Sequence, residues 1–247
     1  MALHDESTEI SRVQRLYDAS YRVFSSGKAG LPTLRHIRWL QEFLDVMEPS
    51  DVGIDASSDD EGLSDAESSP RSRNGLILGK TVKQITYIHI HECEDFSIGI
   101  FCFPAGAKFP LHDHPNMVVL SKVLYGSVRS KSYDWVTSPC SSLKKGGLAK
   151  LVSDNRLIDA RCKASVLFPR SGGNLHSFYA ETPCAILDVL SPPYSEDMGR
   201  PSKYYSDIPI PNLPGYAVLK ETDHLPDDLT VRGAPYMGPE LSLKAMY

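Results

Sequence analysis

Several sequence features that would directly identify the class of protein are missing from this 247-residue sequence. No stretch approaches the ~18 consecutive apolar residues that a membrane-spanning helix needs. The first residues, from Met1 to Glu6, have neither the basic start nor the apolar run of a secretory signal. We therefore expect a soluble, intracellular protein.

Disulfide and zinc-knuckle patterns are missing too. The cysteines are odd in number and widely spaced, with no Cys-x-x-Cys among Cys93, Cys102, Cys140, Cys162 and Cys184. A disulfide framework normally uses an even number of cysteines, and a structural zinc site normally uses close pairs. The sequence therefore predicts reduced thiols in a reducing compartment.

A concentrated basic face is the third absence. The formal net charge is −5, but seven of the 31 acidic residues lie in one stretch, residues 51–67, that contains no basic residue. Outside that stretch 26 basic residues face 24 acidic ones. Nucleic-acid binding and membrane binding both usually need clustered positive charge, so we predict neither.

The residues that are present divide the chain into three parts. We predict a helical segment over residues 1–54, an acidic disordered insertion over 55–75 and the main domain over 76–247. The first helix is predicted over 8–24, with Ser7 or Thr8 as its N-cap and Ile10 on its apolar face. The second is predicted over 32–47, with Pro32 in its first turn and Leu34 and Met47 on its apolar face.

The main domain is rich in short β-branched and aromatic segments that alternate with glycine, proline and aspartate. Strands are predicted over residues 81–89, 96–103, 117–125, 128–135, 149–152, 165–169 and 184–190. Many short strands of this kind indicate a compact antiparallel sandwich or barrel.

A His-x-His pair is the most informative motif in the chain. His112 and His114 lie between turn-forming residues, and neighbours two apart on an extended strand share one face. With His176 they predict a metal site made of three imidazoles, which zinc, iron, copper or nickel could occupy. A second pair, His89 and His91, lies inside a predicted strand and is interpreted as part of a strand face.

The spacing around these histidines resembles the two motifs of the cupin superfamily. Gly106 precedes His112 by six positions, and PRSGGNLH at residues 169–176 resembles the second motif. This resemblance implies a mainly β fold, a single double-stranded β-helix (jelly-roll) barrel with the two N-terminal helices packed on it. Cupins commonly carry a glutamate ligand where this chain has Val119, so a carboxylate ligand is predicted to be absent.

A longer run is similar to the plant cysteine oxidases, relatives of the animal 2-aminoethanethiol dioxygenase. The similar segments are FPLHDHPNMVVLSKVLYGSVRSKSYDW (109–135), DVGI (51–54), ITYIHI (85–90), SIGIFC (97–102) and DVLSPPYS (188–195). The resemblance implies a non-haem iron(II) enzyme in the cytoplasm and nucleus that uses O2 to convert an N-terminal cysteine to its sulfinic acid. Its implied partners are transcription factors of the hypoxia response, which oxidation marks for degradation through the N-degron pathway.

The same resemblance assigns His112, His114 and His176 as iron ligands and Asp188 and Tyr194 as catalytic residues. Asp188 is expected to orient the substrate amine, although an aspartate at a strand end can instead cap a turn. Tyr194 is expected near O2 or the substrate sulfur, although it can instead pack under the adjacent prolines. Some relatives carry a cysteine at Ser202, so the thioether crosslink to tyrosine of those relatives is excluded here.

Two rival functions stay open on the sequence alone. One is a dioxygenase for a small thiol, either cysteamine or free cysteine, because the iron chemistry would be shared. The other is a cupin without catalytic activity that binds a ligand or stores metal. Nothing in the sequence requires more than a monomer.

Overall fold

The computed structural model describes residues 10–25, 32–55, 74–77, 80–136, 146–222 and 229–244. Most of the predicted acidic insertion lies outside these residues, although its last two positions already belong to the first strand, which begins at Asn74. Among the described helices none is both long and apolar enough to cross a membrane.

The first helix, α1 (Arg12–Phe24), begins later than the sequence predicted. Ser11 is its N-cap, because the Ser11 side chain accepts a hydrogen bond from the Gln14 amide at 3.2 Å. Ile10 precedes the cap and is 56% exposed, so its assignment to the apolar face was wrong.

The second helix, α2 (Leu34–Asp45), is shorter than predicted at both ends. Thr33 caps it by accepting from the His36 amide, which places Pro32 before the helix and not in its first turn. Leu34 is 63% exposed and does not belong to the buried face, whereas Met47 is buried just beyond the helix end. A four-residue 3-10 helix (Pro49–Val52) follows.

Thirteen strands form the rest of the described chain. They are β1 (Asn74–Ile77), β2 (Lys80–Glu92), β3 (Ser97–Phe103), β4 (Lys108–His112), β5 (Val118–Tyr125), β6 (Ser127–Trp135), β7 (Gly146–Asp159), β8 (Ser165–Leu167), β9 (Leu175–Ala180), β10 (Cys184–Ser191), β11 (Tyr204–Pro209), β12 (Tyr216–Thr222) and β13 (Leu229–Ala234). Each of the seven predicted strands is present, although β7 is much longer than expected. Six strands were not predicted: β1, β4, β9, β11, β12 and β13.

The strands form two units. One is a seven-stranded sheet in the order β1-β2-β3-β10-β5-β8, with β13 parallel to β2. The other is a closed six-stranded barrel in the order β11-β12-β7-β6-β9-β4. This mainly β architecture with two helices packed against it confirms the predicted cupin fold.

Strand alternation decides which side chains face the helices and which face the interior. In β10 the residues Ala185, Leu187 and Val189 pack with the helices. Their neighbours Cys184 and Ile186 point to the other face, where they join a second apolar cluster with Phe103. Because the period is two, Asp188 lies on the same inner face as Ile186.

A carboxylate fixes the turn between β8 and β9. Asp134 on β6 accepts hydrogen bonds from the backbone amides of Gly172, Gly173 and Asn174 at 3.1, 2.9 and 3.0 Å. Gly172 and Gly173 have φ values of 87° and 83°, a conformation that glycine adopts without strain. The turn that leads into β9 is therefore shaped by one acidic side chain from a neighbouring strand.

We predict that Asp134→Ala lowers the free energy of unfolding by about 2–3 kcal/mol, because three amide donors lose a charged acceptor. Urea unfolding followed by circular dichroism measures the change. Asp154→Ala is the control, since Asp154 is an exposed acid on the neighbouring strand. Equal stability of the two variants would show that the Asp134 hydrogen bonds do not stabilise the turn.

Candidate metal centre

Three histidines, from β4, the loop after it and the adjacent strand β9, converge on the side of the barrel that faces the seven-stranded sheet. His112 ends β4 and is paired directly with His176 near the start of β9. His114 follows two residues later, in the connection to β5. All three are buried, and their nitrogen ligand atoms lie within 4.8 Å of one another. The structure therefore brings together the three residues that the sequence predicted.

Hydrogen bonds orient the rings of this group. Nδ1 of His112 lies 3.0 Å from the Pro110 carbonyl oxygen, and Nδ1 of His114 lies 3.0 Å from the Asn174 carbonyl oxygen. A carbonyl oxygen only accepts, so in both rings Nδ1 carries the hydrogen and Nε2 keeps its lone pair. His176 is likewise hydrogen-bonded to the backbone of Gly173. Outer contacts of this kind are what fix the ring orientation in metal sites.

Burial keeps the imidazoles neutral. It lowers the pKa of His112 to about 3, with a further contribution from His114, and lowers the pKa of His114 to about 4. The pKa of His176 is also far below its usual value, again chiefly because of burial. Neutral imidazoles can bind a divalent cation without first losing a proton.

No carboxylate joins this group among the described residues. Val119, at the position of the usual cupin glutamate, is 1% exposed and packs with Met117 and Leu167. The donor set is therefore three neutral nitrogens, which suits a borderline metal such as iron, zinc, copper or nickel. It leaves the positive charge of the metal uncompensated by the protein.

A cavity of about 440 Å³ opens onto the three histidines. We call it the front cavity. Its aromatic walls are Tyr87, Phe101, Phe103, Phe109, Phe178 and Tyr204. Two carboxylates, Glu92 and Asp188, also line it, and no lysine or arginine does so among the described residues. The front cavity thus favours a ligand with an apolar body and a positive group.

Asp188 is the deeper of these two carboxylates. It lies inside β10, directly opposite Gly99 on β3 and Ser121 on β5, so the alternative of a turn-capping aspartate is wrong. Its Oδ1 has no hydrogen-bond partner among the described residues. Burial raises its pKa to about 7, and a hydrogen bond with Ser121 partly opposes that rise. Asp188 therefore brings a carboxyl group with one unpaired oxygen to the wall of the front cavity.

Tyr194 lines the front cavity with its ring 5.7 Å from the ring of His114, centroid to centroid. Its hydroxyl donates to the Asp113 carbonyl oxygen at 2.7 Å and is hydrogen-bonded to Ser202. Burial raises its pKa well above the usual value, so the hydroxyl keeps its proton. Ser202 has no thiol, so no thioether crosslink to tyrosine can form at this position.

The second His-x-His pair does not take part in the three-histidine group. His91 packs edge-on against Tyr17 of α1, with ring centroids 4.9 Å apart, and against Phe96. A bulge separates His89 from His91, and His89 is exposed. His91 therefore helps to seat the first helix on the sheet.

Sequence reasoning missed the aromatic walls of the site. Phe178 lies two residues after His176 on β9, so strand alternation would have placed it on the same face had β9 been recognised. Tyr204 belongs to β11, which also escaped prediction. Tyr87 lies over Gly99, where a β-carbon would approach the Tyr87 hydroxyl to 2.6 Å.

Comparison with known proteins agrees with this geometry. The PCO_ADO family profile matches residues 43–241. Plant cysteine oxidase 1 of Arabidopsis thaliana is 41% identical, with 94% of this chain and 81% of that protein aligned. The 2-aminoethanethiol dioxygenase of Mus musculus is 32% identical, with 94% and 96% aligned.

Solved structures give a weaker likeness. A cupin protein from Desulfovibrio desulfuricans aligns with 50% of this chain and 99% of its own at 21% identity, with a TM-score of 0.31, which is too low to add to the fold assignment. The family is decided by the sequence matches, which extend over most of the chain. The chain belongs to the PCO_ADO family and is an oxidoreductase.

Proposed function

We propose that this protein is an iron(II) thiol dioxygenase that oxidises the N-terminal cysteine of proteins to cysteine sulfinic acid. The observation that carries the proposal is the carboxylate-free three-histidine group beside an unpaired Asp188 carboxyl oxygen. His112, His114 and His176 would hold the iron, which when bound supplies the activation of O2. The remaining roles belong to residues of the chain itself.

Asp188 is proposed to bind and orient the substrate α-amine. Its carboxyl group lines the front cavity and has one oxygen without a partner, so a substrate ammonium would supply the missing hydrogen-bond donor. The proposed place of Tyr194 is beside the reacting sulfur and O2. Because its proton is directed to the Asp113 carbonyl oxygen, its oxygen is held in a fixed position at the cavity wall.

The charges of the front cavity distinguish between thiol substrates. A free cysteine carries a carboxylate, and apart from the bound metal itself no cation among the described lining residues would pair with it. A desolvated charge without a partner is costly, so free cysteine is disfavoured. An N-terminal cysteine has an amide in place of the carboxylate and avoids this cost. Cysteamine also avoids it and stays the alternative substrate.

The proposed biological role is oxygen sensing through the N-degron pathway in the plant hypoxia response. Sulfinic acid formation is largely irreversible, so it commits the modified protein to its fate. The proposed partners are O2 and transcription factors that begin with cysteine, in the cytoplasm and nucleus. The support for this role is the family membership of the chain together with the preference of the site for an amine without a carboxylate.

Incubation of the iron-loaded protein in air with a cysteine-initiated peptide tests the activity. Mass spectrometry should show a gain of two oxygen atoms on the peptide. Free cysteine should be oxidised much more slowly, because its carboxylate has no basic side chain to pair with in the front cavity. A peptide that begins with serine is the control. Oxidation of cysteamine alone would instead support the small-thiol alternative, and His176→Ala should lose both metal and activity.

Replacement of Asp188 by asparagine should separate function from stability. We expect Asp188→Asn to keep its metal while turnover of the peptide falls at least about tenfold, because the amide cannot pair with an ammonium as a carboxylate does. Unchanged kinetics would remove Asp188 from the proposed site.

The same variant should be more stable than the wild type at pH 8 in the metal-free state. The folded pKa of Asp188 is raised to about 7, whereas an unfolded aspartate ionises near 4, so burial of the carboxyl group costs more as pH rises between those values. The gain in unfolding free energy should reach about 1–4 kcal/mol at pH 8 and vanish near pH 4. Urea titrations at the two pH values measure it. Asp154→Asn, at an exposed position, is the control substitution.

A further inference from the structure

A second cavity, also of about 440 Å³, lies behind the metal centre. We call it the back cavity. It shares His176, Phe178 and Ile186 with the front cavity, so these three side chains stand between the two. Serines from four strands supply its polar walls: Ser121, Ser130, Ser132, Ser153 and Ser165.

Five hydroxyls are unusual on the inner surface of a β fold, where most side chains are apolar. Ser130 and Ser132 are 7% and 8% exposed, and both come from β6. A buried hydroxyl is costly unless it is hydrogen-bonded, and a polar cavity of this size has room for several water molecules at roughly 30 Å³ each. The back cavity also has apolar walls, but its hydroxyls make it more polar than the front cavity and able to hold water.

One pair of facing residues connects the two cavities. Asp188 lines the front cavity, Ser121 lines the back cavity, and the two residues are directly paired across β10 and β5. The Ser121 side chain also lowers the pKa of the Asp188 carboxyl group, which is the effect of a hydroxyl donor directed at that carboxyl. The other ionisable groups that interact with Asp188 are Tyr87 and Tyr194, and neither lines the back cavity. Among the described residues, Ser121 is therefore the one that links Asp188 to the back cavity.

The proposed reaction requires such a route. A thiol and O2 give a sulfinate anion and one proton, RSH + O2 → RSO2⁻ + H⁺, so each turnover must export a proton. A peptide substrate would fill the front cavity and block exchange with solvent on that side. Asp188 ionises near pH 7 and can take up and release a proton near neutrality.

We propose that the back cavity is the proton exit of this enzyme and that Ser121 is the positioning residue that connects Asp188 to it. A proton given up by the substrate passes to the Asp188 carboxylate, and the Ser121 hydroxyl accepts it while donating its own proton to water in the back cavity. The exposed Arg156 and Lys163 at the cavity wall would draw in anionic buffers that accept it. This inference rests on the proposed function.

Proton release can be followed directly. Iron-loaded protein is mixed without O2 with the cysteine-initiated peptide in weak buffer, and a pH indicator reports the proton that the bound thiol gives up. We expect Ser121→Ala to slow this release at least about tenfold, since a relay hydroxyl is removed from the transfer path. Peptide affinity, measured by fluorescence anisotropy, should stay unchanged. Ser121→Thr keeps a hydroxyl and should restore most of the rate.

Two further variants make the result decisive. Ser130→Val, which removes a hydroxyl of the back cavity without touching Asp188, should also slow release. Ser206→Ala, at an exposed position on β11, should behave as wild type. Wild-type release rates in Ser121→Ala and Ser130→Val would overturn the proton exit, even if the peptide is oxidised. A wild-type protein that leaves the peptide unoxidised would instead contradict the proposed function.

Discussion

The side chain of Asn174 joins the two segments that carry the histidines. Its oxygen accepts from the His114 amide at 3.2 Å, and its nitrogen donates to the carbonyl oxygens of His114 and Phe168 at 2.9 and 3.0 Å. Its backbone carbonyl orients the His114 ring, and its backbone amide is held by Asp134. The position of His114 relative to His176 therefore depends on one buried amide, since His114 lies beyond the end of β4.

The strand pairing around Asn174 supplies the rest of the geometry. His176 is paired with His112 on β4 and with Ser132 on β6. The register of β9 with these two strands therefore sets the position of His176 relative to both neighbours. A slip of one residue would turn every side chain of β9 to the opposite face. The same register places Phe178 in the wall between the two cavities. The three-histidine group, the front cavity and the back cavity therefore all depend on the alignment of β9 with its neighbouring strands.

The sequence was sufficient to predict the three-histidine group because a His-x-His pair and the PRSGGNLH turn are local patterns. It was insufficient for β4 and β9, the strands on which His112 and His176 lie. Pro110 breaks the strand-like sequence pattern of β4, and β9 is only six residues long. Local patterns also could not predict contacts between residues distant in sequence, such as those of Asp134 with the turn that ends at Asn174. The predicted helix starts were wrong for local reasons. Ser7 and Thr8 are capping residues close to the true cap Ser11, and Pro32, which suits a first helical turn, directly precedes the true cap Thr33.

The placement of Asp188 shows how the site is maintained at a cost to stability. An aspartate in the middle of an inner strand, flanked by the buried Leu187 and Val189, would ordinarily be replaced by an apolar residue. Here its charge is disfavoured by burial and only partly balanced by Ser121. Burial also raises the pKa of the Cys102 and Cys184 thiols to about 12, so these cysteines stay protonated and unreactive. The proposed reaction consumes a thiolate, and burial protects two thiols of the protein itself from the same fate. Burial is also what keeps Asp188 able to exchange a proton near neutral pH.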